Sequence, residues 1–307
     1  MLHITDAMVE GAIRPRDAQQ VLHDAFTSFT AGRAAMQERA RTEAGGVKLS
    51  TLGAVLPDLG VAGAKVYSTL AGRFSFVILL FSSENGRPLA SLDAGAITRL
   101  RTAACTVLAA RRLARPDARR LALFGTGVQA TAHALQLAEA FPLEAIRVCS
   151  RTADPRWADD LQRACGVPVS YGDAAGVLDG ADLVVTASRS PAPLFPGELL
   201  PQDCFVAATG SSLPTTRELD DRALARASQI VVEWRAQALR EAGDLVLAAP
   251  ELRVADRVVE LGALLARQAP GRANADGIAI YKSVGVGLQD VALAGLAWQR
   301  LQARGSS

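Results

Sequence analysis

The sequence predicts an α/β chain with two unlike halves, and three observations carry that expectation. The first is the stretch RLALFGTGVQA, residues 120–130. An apolar run (Leu121, Ala122, Leu123, Phe124) stops there at Gly125-Thr126-Gly127-Val128-Gln129-Ala130. An amphipathic helix pattern follows, with Ala132, Leu135, Leu137, Ala138 and Phe141. A buried strand, a glycine turn and a helix N-terminus in this order make the opening turn of a Rossmann-type sheet. The second observation is the alternation of strands and helices from Arg119 onward. Leu121–Phe124, Ile146–Cys149, Leu183–Thr186, Phe205–Ala208 and Ile230–Glu233 are short and apolar throughout, as strands of a parallel sheet covered on both faces must be. The third is that the residues before Arg119 read as α+β.

In that front half a helix spans Arg14 to Ala31, its apolar face made by Ala18, Val21, Leu22, Ala25, Phe26 and Phe29. β-like segments follow at Met36–Thr42, Val47–Leu52, Gly63–Leu70 and Phe74–Phe81, with a turn at Asn85-Gly86. Asp93 to Ala114 reads as a long helix with Asp93 as its N-cap and Pro116 beyond its end. In the back half, Gly180-Ala181-Asp182 leads into the strand at Leu183. The tail from Tyr281 to Leu301 reads as a glycine-rich turn followed by an amphipathic helix that returns to the front half.

The glycine turn has a chemistry of its own. Gly125 permits the tight turn, Gly127 lets backbone approach a pyrophosphate, and Ala130 keeps the helix close to the sheet. Free N–H groups of the first helical turn, from Thr126, Val128 and Gln129 onward, point at the anion. The second strand ends at Ser150-Arg151-Thr152, where a site for NAD would place an acid on the ribose 2′-hydroxyl. No acid stands there. Arg151 between two hydroxyls suits a 2′-phosphate, so NADP(H) is expected over NAD(H); the alternative is a solvated loop cation.

Composition excludes other classes. With 33 basic and 31 acidic residues the chain is too balanced for a nucleic-acid or acidic-membrane partner. No apolar run is long enough to span a bilayer. The start, MLHITDAMVEG, has neither a basic region nor an apolar core, so no signal peptide and a cytoplasmic location are expected. Cys105, Cys149, Cys165 and Cys204 lack metal-ligand spacing, so reduced thiols and no metal are expected.

Six motifs together resemble the ornithine cyclodeaminase/mu-crystallin family. They are Gly86-Arg87-Pro88-Leu89-Ala90, Leu100-Arg101-Thr102-Ala103-Ala104, the Gly125–Ala130 turn, Arg217-Glu218-Leu219-Asp220, Ala242-Gly243-Asp244-Leu245, and the run Lys282-Ser283-Val284-Gly285-Val286-Gly287-Leu288-Gln289-Asp290. Their order covers nearly the whole chain. The resemblance implies a homodimer with residues 1–116 as a substrate-binding and dimerisation domain, completed by 280–307. Residues 117–279 are then the dinucleotide-binding domain. It implies hydride transfer at the α-carbon of a small amino or imino acid.

Such a substrate needs its carboxylate paired, because an anion in a closed pocket is costly to desolvate alone. Arg101, with a planar fork suited to a carboxylate and a place in the family's Leu-Arg-Thr motif, is the expected clamp. Thr102 bonds a cofactor phosphate or caps local backbone. Lys65 sits in the apolar stretch Gly63–Tyr67 as an edge cation or as a buried amine of lowered pKa, and it matches the family's substrate lysine. Arg39 falls where a second substrate arginine is expected, although Arg41 lies two residues away on the same strand face. Lys282, Ser283 and Gly285 resemble the family's segment over the nicotinamide ring. Asp290 reads as structural.

Two departures bear on the substrate. Where family members that resemble true ornithine cyclodeaminases have an aspartate for the side-chain amine, this chain has Ser212, which supplies no charge. The stretch Lys65–Val77 is short and lacks an expected asparagine, leaving Arg73 to line the pocket. The resulting expectation is an NAD(P)-dependent reductase of a small, most naturally cyclic, imino acid. Ser212 is expected to bind substrate, and the alternatives are ornithine cyclodeaminase, with Ser212 or an acid such as Glu218 or Asp220 replacing the missing aspartate, and a non-catalytic NADPH-dependent carrier.

Overall fold

The structure is a computed structural model that describes residues 1–272 and 277–305. The chain divides into two compact units, Met1–Ala104 with Gly285–Ser307, and Cys105–Val284. The expected boundaries, 116/117 and 279/280, differ from these at both ends. The first shifts because the division falls inside the helix Gly95–Leu113. The second shifts because residues read as the start of a tail are a sheet strand. Residues 273–276 and 306–307 of the expected domains lie outside the described residues.

The first unit is built on one sheet: β1 (Leu2–Ile4), β2 (Ala35–Met36), β3 (Ala40–Ala44), β4 (Val47–Leu56), β5 (Val61–Leu70), β6 (Arg73–Ser82) and β7 (Pro88–Asp93). Its order is β1-β7-β6-β5-β4-β2, with β3 also on β4. The alternation of the long antiparallel strands gives two faces. Leu52, Ile78, Leu80 and Leu92 on one face are fully buried, together with Lys65. The helix Gly287–Gly305 packs on β4, β5 and β6 and against the helix Pro15–Thr30. The opposite face leaves Val47, Leu49, Val55, Leu70, Val77 and Phe81 exposed.

Three expectations for this unit change. The segment Met36–Thr42 is two strands, because the register slips by one residue between Met36↔Ala54 and Ala40↔Thr51. Such a bulge re-aims the side chains beside it. Asp93 ends β7 and does not cap the long helix. The Asp6 carboxylate does so, accepting from the Ala96 N–H at 2.8 Å. The C-terminal helix is buried on all sides over Leu288–Ala294, including Gln289 and Asp290, so it is a core helix and not an amphipathic surface one.

In the second unit β8 (Arg120–Phe124), β9 (Ala145–Cys149), β10 (Val169–Tyr171), β11 (Leu183–Thr186), β12 (Phe205–Ala208), β13 (Ala227–Val232), β14 (Val258–Glu260) and β15 (Ile278–Lys282) form a parallel sheet. The order is β10-β9-β8-β11-β12-β15-β13-β14. The expected strands are present. β10 and β14 escaped the sequence reading because three residues carry no period, and β15 because a glycine-rich run follows it. That strand is central and wholly buried. Strand order reverses between β8 and β11, and ligands of open α/β sheets bind outside the carboxyl ends at such a point. Among the described residues no helix is long and apolar enough to cross a membrane.

Candidate active site

The carboxyl end of β8 carries the glycine turn. Gly125 has φ +116°, and a Cβ there would stand 2.8 Å from the Ala187 carbonyl oxygen, so the fold itself demands glycine. Gly127 is different: its φ is −81°, it caps the helix Val128–Ala140 without a side chain, and nothing lies within 4 Å of where a Cβ would be. This open cradle at an uncapped helix start fits a dinucleotide pyrophosphate. Thr126 and Gln129 are half-buried, Val128 is 64% exposed and Ala130 is buried.

Beyond β9, Ser150 is half-buried while Arg151 and Thr152 are exposed. Asp154, the acid that follows, is engaged as the N-cap of the helix Pro155–Cys165. Among the described residues no hydrogen bond or ion pair holds the Arg151 guanidinium. His133, on the glycine-turn helix, is buried between the Gln129 carbonyl and the Thr106 hydroxyl, which is a packing role.

Three buried acids tie the loops at the carboxyl ends of β11, β12, β13 and β15. Glu218 accepts from the Thr186 hydroxyl, from the Ser188 N–H and hydroxyl, and from the Gly210 N–H, at 2.7–2.9 Å. Asp244 accepts from the Glu218 and Leu219 N–H groups and pairs with Lys282 Nζ at 2.8 Å. Burial pushes the Asp244 carboxyl up, but the Lys282 ammonium and these N–H groups outweigh it and hold it below the usual carboxylate range. Glu233 accepts from the Ser283 hydroxyl and the Val284 N–H. Lys282 is therefore enclosed in the second unit, donating to the Ser211 carbonyl at 2.8 Å. The Lys282 and Ser283 side chains both bond within these loops, in the segment expected over a nicotinamide ring. Ser212 is half-buried beside the Ser211 carbonyl that Lys282 holds.

The first unit assembles Lys65, Arg101 and Arg39. Lys65 Nζ stands 2.8 Å from both oxygens of Asp290 and 3.4 Å from the Thr98 hydroxyl. Arg101 Nη1 donates to Gln289 Oε1 at 2.9 Å, and its Nε lies 3.5 Å from Asp290. Arg39 Nη2 donates to the Gly285 carbonyl at 2.7 Å. Gly285 has φ +75°, and a Cβ there would meet the Arg101 guanidinium at 2.7 Å, so glycine lets the guanidinium lie on the backbone. Burial lowers the Lys65 pKa to about 8; Asp290 opposes that, while Arg101 and Arg39 add to it. Lys65 is thus the buried amine of the two sequence readings. Asp290, read as structural, is the missed residue of this cluster. Its signal was the adjacency of Gln289 and Asp290 at the start of a helix too apolar to expose them.

The Thr102 hydroxyl donates to the Thr98 carbonyl at 2.7 Å. Arg73 pairs with Leu70 on the face opposite Lys65, so it cannot line this site. The same register puts Tyr67, Phe76 and Phe74 on the Lys65 face.

The chain matches the ornithine cyclodeaminase/mu-crystallin family over residues 1–305. It is 31% identical over 268 residues to a Δ1-pyrroline-2-carboxylate reductase of Bacillus cereus, covering 86% of this chain and 79% of that one. It is 33% identical over 223 residues to the ketimine reductase mu-crystallin of Mus musculus, covering 72% and 68%. A solved structure called a probable ornithine cyclodeaminase, from Bordetella pertussis, superposes with TM-score 0.98 at 59% identity, covering 100% and 98%. The iminosuccinate reductase of Paracoccus denitrificans in complex with NAD+ superposes at 0.92 with 25% identity, covering 99% and 97%.

The two glycines of the turn separate by experiment. Gly125→Ala is expected to lower the melting temperature, because it forces a strained backbone against Ala187. Gly127→Ala is expected to lower it far less yet weaken NADPH binding by about tenfold or more, read by fluorescence titration.

Proposed function

Because this chain belongs to the ornithine cyclodeaminase/mu-crystallin family, we propose that it is an NAD(P)-dependent reductase of a small imino acid, most naturally a cyclic one. The observation that carries the reading is the buried cluster in the first unit. Lys65 and Arg101 face Asp290 and Arg39 adds its charge beside Lys65, leaving excess positive charge that a substrate carboxylate balances. Arg101 supplies the planar fork and Arg39 assists it. Lys65 holds the proton that the substrate nitrogen takes, and Asp290 fixes the heads of Lys65 and Arg101. The nicotinamide dinucleotide, held at the Gly125–Gln129 turn, supplies the hydride. NADP(H) is proposed over NAD(H), on the unengaged Arg151 and the absence of a free acid at the end of β9.

Ornithine cyclodeamination is less well supported. Ser212 carries no charge, and the acids that were to replace the missing aspartate are engaged. Glu218 accepts four hydrogen bonds, and Asp220 caps the helix Asp221–Arg226. The Lys65–Arg101 cluster equally argues against a carrier of a neutral ligand. A homodimer is proposed through the exposed apolar face of the first unit's sheet. That face includes a groove of about 420 Å³ lined by Ala35, Gln37, Gly53, Val55, Ala64 and Phe81.

Oxidation of NADPH and NADH with a panel of cyclic and open-chain imino acids tests the reading. Turnover on an imine is expected, faster with NADPH; ammonia released from ornithine without added reductant would sink it. Lys65→Met should lower kcat at least about 100-fold. In the wild type kcat for reduction should fall as pH rises through about 8, where Lys65 loses its proton. Asp290→Asn removes the attraction that keeps Lys65 charged, so this break should move to lower pH. Light scattering should give twice the chain mass, and Phe81→Lys should reduce it to one.

A further inference from the structure

The first unit's sheet runs on past Lys65, and what lies there is aromatic. Cross-strand register orders the Lys65 face in rows. Leu52, Lys65, Ile78 and Leu92 make the buried row; Arg41, Ser50, Tyr67 and Phe76 make the next. Tyr67 and Phe76 stand opposite each other with ring centroids 5.2 Å apart. Phe74 stacks on Phe76 at 5.7 Å with the planes 3° apart. Lys65 Nζ lies 5.5 Å from the Phe76 ring centre, so the aromatic surface is continuous with the charged cluster. It is not core: Tyr67 and Phe76 are half-buried and Phe74 is 45% exposed. The chain has only nine Phe and three Tyr, and a quarter of them are gathered on this one face of the hairpin.

We propose that Phe76 and Tyr67 determine substrate specificity, selecting imino acids whose α-substituent is bulky and apolar over those with a charged one. This rests on the reading that Arg101 and Lys65 hold the carboxylate and nitrogen. With those groups fixed at the cluster, the substituent lies one row along the face, about 7 Å of strand from Lys65, on the ring surfaces. A flat or branched hydrocarbon loses water against them. A terminal ammonium meets instead the repulsion of Lys65, Arg101, Arg39 and Arg41, with Asp290 already paired to Lys65. The two-residue turn Ala71-Gly72, which pairs Leu70 with Arg73, sets the register that brings the three rings together.

The test is a ratio. With NADPH, kcat/KM is measured for a six-membered cyclic imino acid, for the smallest imine formed from pyruvate and methylamine, and for an imino acid bearing a terminal ammonium. The wild type should prefer the six-membered ring. In Phe76→Ala the ratio of cyclic to smallest imine should fall about tenfold, through KM more than kcat. Phe76→Leu should restore most of it. Calorimetry with pyridine-2-carboxylate, a flat carboxylate that cannot be reduced, reads the same surface without turnover, and Phe76→Ala should weaken it about tenfold. If Phe76→Ala and Phe76→Leu lower kcat/KM equally on all three imines and leave pyridine-2-carboxylate binding unaltered, the rings are structural and the inference is overturned. Preference for the ammonium-bearing imine overturns it as well. If the wild type reduces no imine yet binds pyridine-2-carboxylate through Phe76, the proposed reaction fails and the specificity surface stands.

Discussion

Asp290 is the constraint around which the first unit is organised. A carboxylate buried in a helix that packs on a sheet is tolerable only if it is paired, and its partners here are Lys65 on β5 and Arg101 on the helix Gly95–Leu113. Three elements from distant parts of the sequence are thereby fixed around a few polar atoms. Gly285 and Gln289, on the same returning segment, hold Arg39 and Arg101 in turn. The C-terminal helix does more than complete a core: it carries the counter-charge of Lys65 and Arg101.

The second unit solves a comparable problem with acids that bond to its own loops. Glu218, Asp244 and Glu233 are buried, and each accepts hydrogen bonds from loops at the carboxyl ends of the strands. Loops there would otherwise leave backbone N–H groups unsatisfied away from water. Lys282 belongs to this scaffold, neutralising Asp244 and holding the Ser211 carbonyl next to Ser212. The glycine turn is left open by contrast, with Gly127 facing space and Gly125 closed against Ala187. One glycine is demanded by the fold, and the other leaves a helix start open.

These arrangements bear on the choice among reactions. Cyclodeamination of a diamino acid requires a free carboxylate for a side-chain ammonium. The buried acids described here, Glu218, Asp244, Glu233 and Asp290, all have bonds or charges to satisfy within the protein. A cluster with more cations than anions, beside an aromatic surface, favours an anionic substrate with an uncharged body.

The sequence by itself determined the parts whose signal is local. The βα turn at Gly125–Ala130, the apolar strands of the second unit and the helix Pro15–Thr30 each follow from a period or a turn within about 20 residues. Lys65 was legible as a candidate because a charged residue in an apolar stretch needs a reason to be there, while Arg101 and Arg39 were legible through the family resemblance. The tertiary structure decided which of several chemically possible partners each residue met. It set Asp6 and not Asp93 on the long helix, placed β15 within the sheet, and enclosed Lys282. It turned Arg73 to the far face and brought Asp290 to Lys65 across 225 positions of sequence. Residues that far apart share no periodicity, and only packing, which excludes water and forces every buried charge to find its opposite, brings them together.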